Sequence, residues 1–170
     1  MLKLAGIVGD SIVDGPGLRT TIFAQGCPHH CEGCHNPETW NMTGGTELEP
    51  EAVMEIVTAN PLCRGVTFSG GEPFAQAKEF ARLGRLLKEK GYEVASYSGY
   101  TIEELLHGTR DQRMLLETID VLIDGRFELS QRSLELNFRG STNQRVLNVP
   151  ESLKQGRAVN VTEPRWLGEY

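Results

Sequence analysis

The sequence predicts an α/β domain in which about five to six parallel strands form an open, partial (β/α) barrel. Two observations lead to this prediction. Short β-branched runs alternate with segments of helical period, which is typical of parallel strands joined by helices. The chain has 170 residues, whereas a complete eight-unit barrel takes at least about 200. The expected barrel is therefore incomplete.

The individual elements follow from local patterns. The first predicted strand covers 18–25 and leads into a loop that contains three cysteines. The clearest helix covers 76–90, because its apolar residues share one face and Gly91 suits a helix end. The other predicted elements are helices over 49–59, 102–106 and 113–119, strands over 65–68, 93–97 and 121–124, and one or two further strands near Asn137 and over 145–149.

The chain is expected to form a single domain over 1–170. No internal repeat, low-complexity tract or linker marks a domain boundary. The core is predicted to span about 12–149. The C-terminal tail, about 150–170, is polar and expected to be irregular, so it is assigned no chemistry.

Charge and hydropathy exclude several classes of partner. The net charge of -6 argues against nucleic acid, because binders of nucleic acid usually carry a basic stripe. No apolar run approaches the roughly 20 residues of a membrane span, and the N-terminus lacks the pattern of a leader peptide. We therefore expect a cytoplasmic protein with neither membrane nor nucleic acid as a partner.

Three cysteines lie within eight residues of each other, at Cys27, Cys31 and Cys34. Such clustering in a cytosolic protein indicates metal or cluster binding rather than disulfides. The fourth, Cys63, lies far away in an apolar context and is expected to be a buried thiol. We call residues 26–37 the cysteine loop.

Three thiolates leave a fourth coordination position open. A structural zinc ion would fill that position with His29, His30 or His35, and an iron-sulfur cluster suits the same soft ligands. The cysteine spacing alone leaves both alternatives open.

A second motif, Ser69-Gly70-Gly71-Glu72-Pro73, follows the strand at 65–68. We call 70–73 the GGEP turn. Together with the Cys-x3-Cys-x2-Cys spacing, it resembles the signature of the radical S-adenosylmethionine (SAM) superfamily. The resemblance implies that the three clustered cysteines hold a 4Fe-4S cluster, and that SAM chelates its fourth iron. It also implies that the turn and the Glu72 carboxylate meet the SAM ammonium.

Further segments resemble the glycyl-radical-enzyme activases, at 14–19 and 34–40. Two later segments, 121–127 and 138–145, resemble the branch of this activase family that acts on anaerobic ribonucleoside-triphosphate reductase. This resemblance implies reductive cleavage of SAM to a 5'-deoxyadenosyl radical, which takes a hydrogen from a glycine of the reductase. Reduced flavodoxin or a similar protein would supply the electron. The alternatives are activation of another such enzyme, for example pyruvate formate-lyase, and a non-catalytic zinc or electron-transfer module.

The resemblance also assigns residues to SAM, with no catalytic side chain beyond the cluster and SAM ligands. Gly33 stands where the superfamily commonly has an aromatic residue that seats the adenine, so His35 is either a substitute or a residue that orders the loop. Arg126 is expected either to clamp the SAM carboxylate or to pair with a nearby acid, Asp124 or Glu128. The complete predicted set is Gly33, Cys34, His35, Ser69, Gly70, Gly71, Glu72, Ser96 and Arg126.

Overall fold

In the computed structural model of the protein, which describes residues 1–168, seven strands form one mixed sheet. Their order across the sheet is β3-β1-β2-β4-β5-β6-β7. The strands are β1 (Leu2–Ser11), β2 (Arg19–Ala24), β3 (Thr46–Leu48), β4 (Gly65–Gly70), β5 (Glu93–Tyr97), β6 (Val121–Asp124) and β7 (Arg145–Asn148). The α-helices are α1 (Pro50–Thr58), α2 (Ala77–Glu89), α3 (Ile102–Leu106), α4 (Arg110–Leu116) and α5 (Val149–Gln155).

The predicted α/β class is confirmed, and the strand directions need one correction. Four strands, β2, β4, β5 and β6, pair in parallel, rather than the five to six expected. The strands added at the two sides, β1 and β7, pair antiparallel to their neighbours. The connection from β1 to β2 is a short loop without a crossover helix, and such connections permit only antiparallel pairing.

The four parallel strands lie side by side in chain order, and helices connect them. Apolar residues of all five helices pack on one face of the sheet, against Ile22, Val66, Phe68, Val94 and Leu122. The carboxyl ends of β2, β4, β5 and β6 therefore lie along one edge, where the loops that follow them meet. Among residues 1–168, none of the helices has both the length and the apolar composition required to cross a lipid bilayer.

The C-terminal segment is more regular than expected. It begins with α5, which packs with the other helices and ends at Gly156 in a left-handed conformation. The residues after α5 cover part of the opposite face of the sheet. Val161 and Trp166 then pack against Ala95, Val121 and Ile123. The segment was expected to be irregular because its apolar residues are too widely spaced to show a helical or strand period.

The sequence predicted β2, β4, β5, β6 and β7, and all four of the expected helices, to within a few residues at their ends. It missed β1 and β3, which form the outer part of the sheet. The strand expected near Asn137 is absent within the described residues, since that residue lies in an irregular loop.

Trp166 provides a test of the C-terminal segment. Its ring is 1% exposed and lies against Phe138 and the Arg19 guanidinium. We expect Trp166→Ala to lower the free energy of unfolding by about 3–5 kcal/mol, measured by anaerobic urea unfolding. Leu167→Ala is the control, because Leu167 is 46% exposed and should change stability by less than about 0.5 kcal/mol. Equal stability of the two variants would contradict this packing.

Candidate active site

The cysteine loop begins where β2 ends, at the carboxyl edge of the parallel strands. Backbone hydrogen bonds close its base: the amide of Gly26 donates to Thr39 (2.6 Å) and that of Cys27 donates to Trp40 (3.3 Å). The three clustered thiols are all half-buried. Among residues 1–168, no three His, Cys, Asp or Glu side chains converge as they would around a single metal ion.

Each of the three sulfur atoms has at least one backbone amide beside it. Burial raises the pKa of the Cys27 thiol, and the backbone amide of His29 opposes that rise. Burial likewise raises the pKa of the Cys31 thiol, and a hydrogen bond from the backbone amide of Phe127 acts to lower it. The amide of Asn36 donates to Cys34 Sγ at 3.4 Å. N–H groups of this kind favour the thiolate, which is the form that binds iron.

Cys63 lies away from this cluster and is buried, as predicted. It precedes β4, whereas the cysteine loop follows β2, and these two strands run parallel. The length of a six-residue strand, about 20 Å, therefore separates it from the loop. Its thiol contacts Thr20 Oγ1 (3.4 Å) and the Gly65 carbonyl (3.1 Å).

The GGEP turn is bonded directly to the start of the cysteine loop. The amide of Gly71 donates to Ala24 and that of Glu72 donates to Gly26, both at 2.8 Å. A Cβ at position 71 would lie 2.3 Å from the Gly26 carbonyl oxygen. Gly70 has a φ of +88°, and a Cβ there would lie 2.7 Å from the backbone of Ala24. The two glycines thus permit a close approach between the two predicted motifs.

The surroundings of the Glu72 carboxylate differ from those that its predicted role requires. Its side chain is 0% exposed, and both carboxylate oxygens are enclosed by protein groups. Its hydrogen-bond donors are Phe74 N (3.0 Å), Ser98 Oγ (3.0 Å), Gly99 N (2.7 Å) and His29 Nε2 (2.7 Å). The predicted contact with the SAM ammonium therefore does not match this arrangement.

A cavity of about 570 Å³ opens beside the cysteine loop, on the face of the sheet opposite the helices. Four of the predicted residues line it: Cys34, His35, Ser69 and Gly70. Its other walls come from Asp14, Phe23 and Tyr97 on one side and from Phe127, Phe138 and Arg139 on the other. The cavity therefore joins the cysteine loop, the GGEP turn and the two C-terminal motifs.

Phe127 occupies the space that Gly33 leaves open. A Cβ at position 33 would lie 3.2 Å from the Phe127 ring and 2.9 Å from Leu129, and the backbone φ there is +76°. An aromatic residue at position 33 would not fit beside this ring. Phe127 also packs edge-on against His35, with 5.4 Å between the ring centroids. The aromatic group beside the third cysteine thus comes from a distant part of the sequence.

The other five predicted residues, Gly33, Gly71, Glu72, Ser96 and Arg126, do not line the cavity. Ser96 is fully buried on the helix side of β5, because strand residues alternate between faces and its neighbour Tyr97 takes the cavity side. Arg126 is exposed and lines a neighbouring cavity. Its positive charge still acts to lower the pKa of Cys31. Of the alternatives for Arg126, the pairing with Asp124 is not the one that the structure shows, since Arg145 pairs with Asp124 at 2.6 Å.

Known proteins match this chain over most of its length. The model of the 4Fe-4S single cluster domain family matches residues 13–147. An anaerobic ribonucleoside-triphosphate reductase-activating protein of Vibrio cholerae is 36% identical, over 78% of this chain and 89% of the relative. The chain belongs to this family of activating proteins. The Escherichia coli K12 member is 31% identical over 79% of this chain and 91% of its own length. A pyruvate formate-lyase-activating enzyme of Clostridium pasteurianum is 40% identical, over 64% of this chain and 50% of the relative.

Membership of this family decides between the metals that the cysteine spacing left open. The chain binds a 4Fe-4S cluster and uses SAM as its cosubstrate. The donor set fits this assignment, because three thiols share one loop and the cavity adjoins Cys34. The histidines considered as zinc ligands have other contacts: His29 bonds to Glu72, His30 stacks on Trp40 (4.7 Å) and His35 meets Phe127.

Sequence reasoning missed two residues that shape this site. His29 was considered only as a zinc ligand, and Phe127 only as part of a family motif. No local pattern connects His29 to Glu72, since they are 43 residues apart. Gly33 was the available signal for Phe127, because a missing aromatic group leaves space for one from elsewhere.

Single replacement of Cys27, Cys31 or Cys34 by Ala tests the ligand set. We expect each variant to lose the cluster and SAM cleavage, because a 4Fe-4S cluster held by three thiolates does not tolerate loss of one. Iron content and 5'-deoxyadenosine are measured after anaerobic reconstitution. Cys63→Ala is the matched control and should retain both. Loss of iron in that control would show that the ligands are wrongly assigned.

Proposed function

We propose that this chain is a radical SAM activase of anaerobic ribonucleoside-triphosphate reductase. It cleaves SAM reductively and removes a hydrogen from a glycine of the reductase, which leaves a glycyl radical there. The observation that carries the proposal is the cavity that joins Cys34, the GGEP turn and the C-terminal motifs. The proposal is further supported by relatives that bear the activase name and align over nearly their whole length.

The architecture suits this chemistry. We take the sheet to be the open, partial barrel of radical SAM enzymes. The order of β2, β4, β5 and β6, with every helix packed on one face, supports this assignment. An open sheet gives a protein loop access to the cavity, whereas a closed barrel admits only small molecules. The site residues lie at the carboxyl ends of parallel strands, where such folds place their chemistry.

The side chains divide between holding the cluster and holding SAM. Cys27, Cys31 and Cys34 are the proposed cluster ligands. Ser69 and the backbone of Gly70 and Gly71 are proposed to meet the methionyl end of SAM, since they lie at the carboxyl end of β4, directly beside the cysteine loop. Arg126, exposed and close to Cys31, is proposed to pair with the SAM carboxylate.

The adenine is proposed to lie against His35 and Phe127, the two rings beside Gly33. Once bound, the cluster and SAM supply a carbon radical after one-electron reduction. The residues of the chain place the reacting groups and exclude water. Phe127, Leu136 and Phe138 provide an apolar wall of the cavity for this purpose.

The reaction needs an electron donor and a protein substrate. Reduced flavodoxin or a similar cytoplasmic protein is the proposed donor, and the reductase supplies the glycine. A second candidate substrate is pyruvate formate-lyase, because the Clostridium pasteurianum enzyme named for that activation is 40% identical over 118 residues. We favour the reductase, since this chain covers only 50% of that enzyme but 89% of the Vibrio cholerae protein.

The proposed adenine wall predicts a selective loss of affinity. Phe127→Leu should weaken SAM binding about tenfold, since stacking of a base on an aromatic ring contributes about 1–3 kcal/mol. The affinity for methionine, which lacks the adenosyl group, should stay within about twofold. Both are measured by anaerobic titration of the reconstituted protein, and Phe127→Tyr should behave as wild type. An equal loss for both ligands would place the adenine elsewhere.

The choice of protein substrate has a direct test. We expect the reduced protein, with SAM and anaerobic ribonucleotide reductase from the same source, to give a glycyl radical signal in electron paramagnetic resonance. Pyruvate formate-lyase should give no such signal, because the C-terminal motifs belong to the reductase branch. A radical on the lyase with a silent reductase would contradict the assigned partner. A small-molecule product formed without any partner protein would contradict activation itself.

A further inference from the structure

The Glu72 carboxylate is the most completely enclosed acidic group near the cysteine loop. It accepts hydrogen bonds from four groups of the protein, and no Lys or Arg within residues 1–168 pairs with it. A buried carboxylate is stable only when hydrogen-bond donors satisfy it. The donors come from three places: the cysteine loop, the turn after β4 and the end of β5. Glu72 therefore ties together three neighbouring strand ends.

His29 is the donor from the cysteine loop. In the tautomer that carries its proton on Nε2, the imidazole donates this bond to the carboxylate. The bond is 2.7 Å long and the His29 side chain is 4% exposed. His29 stands two residues after Cys27 and two before Cys31, so its position restricts both thiols.

The protein provides a fitted space for the His29 ring. A Cβ at position 99 would lie 2.3 Å from the ring, so only glycine leaves room for it there. The Tyr100 ring packs against it edge-on, with 4.6 Å between centroids. The next residue, His30, has a φ of +48° and stacks instead on Trp40. The two adjacent histidines thus hold the loop through different contacts, His29 with Glu72 and Tyr100 and His30 with Trp40.

We propose that Glu72 is a positioning residue for the cluster, acting through His29, and that it does not bind the SAM ammonium. The hydrogen bond holds the 27–31 segment on the ends of β4 and β5, and so limits the positions that Cys27 and Cys31 can take before the cluster forms. The proposal rests on the proposed function only in taking Cys27 and Cys31 as ligands. It is independent of which protein is activated.

The test is a double-mutant cycle between the two residues, read from the rate at which an anaerobic chelator removes iron from the reconstituted protein. Loss of a hydrogen bond to a charged group should speed iron release roughly tenfold in His29→Ala and in Glu72→Gln. The double variant should release iron no faster than either single variant, because both changes remove the same interaction. His29→Gln, whose amide nitrogen replaces Nε2, should restore most of the stability of the cluster.

Two further measurements distinguish the positioning role of Glu72 from a role in SAM binding and from a non-specific loss of structure. SAM affinity per cluster should stay within about threefold of wild type in Glu72→Gln, whereas loss of an ammonium contact would weaken it roughly tenfold. In the cluster-free protein, hydrogen exchange should be faster in the cysteine loop of His29→Ala and unchanged in β4. His30→Asn is the matched control, since Asn tolerates its left-handed backbone and the bond to Glu72 remains.

Three results would overturn the proposal. The first is weaker SAM binding in Glu72→Gln with unchanged iron release, which would return Glu72 to the SAM site. The second is additive effects of the two substitutions, which would mean that they act separately. The third is equally fast iron release in His30→Asn, which would mean that any change in this loop loosens the cluster. A variant that fails to fold is recognised by its exchange in β4, and His29→Gln then carries the test.

Discussion

The arrangement of the whole site depends on a buried carboxylate. Glu72 has no solvent exposure, so its charge must be balanced by donors that the fold delivers to one point. The sheet delivers them because β2, β4 and β5 are neighbours and end at the same edge. Satisfying the carboxylate thus brings together the two motifs that the sequence separates. The glycines at 71 and 99 serve the same end, since larger side chains there would push the cysteine loop away.

The two faces of the sheet have different roles. The helix side is an apolar core that uses the alternate residues of each strand, which is why Ser96 is buried there. The other side carries Thr21, Thr67 and Tyr97, and its apolar part is covered by the C-terminal segment. At its amino-terminal end, Arg19 is buried against Trp166 and pairs with Glu93 at 2.9 Å. These contacts fix the C-terminal segment at that end, and the cavity opens at the carboxyl end.

A feature could be predicted from the sequence when residues close together in the chain determine it, and not when the determining contacts join residues far apart in the chain. Elements such as 93–97 and 121–124 were predicted because local patterning specifies them. The cysteine loop was predicted because its three cysteines lie within eight residues of each other. In contrast, β1 is half-exposed and rich in glycine, so it lacks a clear strand period. The positions of Phe127 beside Gly33 and of His29 beside Glu72 arise only from tertiary packing, which no single-sequence pattern encodes.

The most direct test of the role of Glu72 is an anaerobic crystal structure of the protein with its cluster and SAM bound. The distances to compare are those from the Glu72 carboxylate to His29 Nε2 and to the SAM amino nitrogen. We predict that the carboxylate stays within hydrogen-bonding distance of His29 and that the ammonium binds backbone groups of the GGEP turn. A carboxylate turned toward the ammonium, with His29 released from its position beside Gly99, would contradict this account.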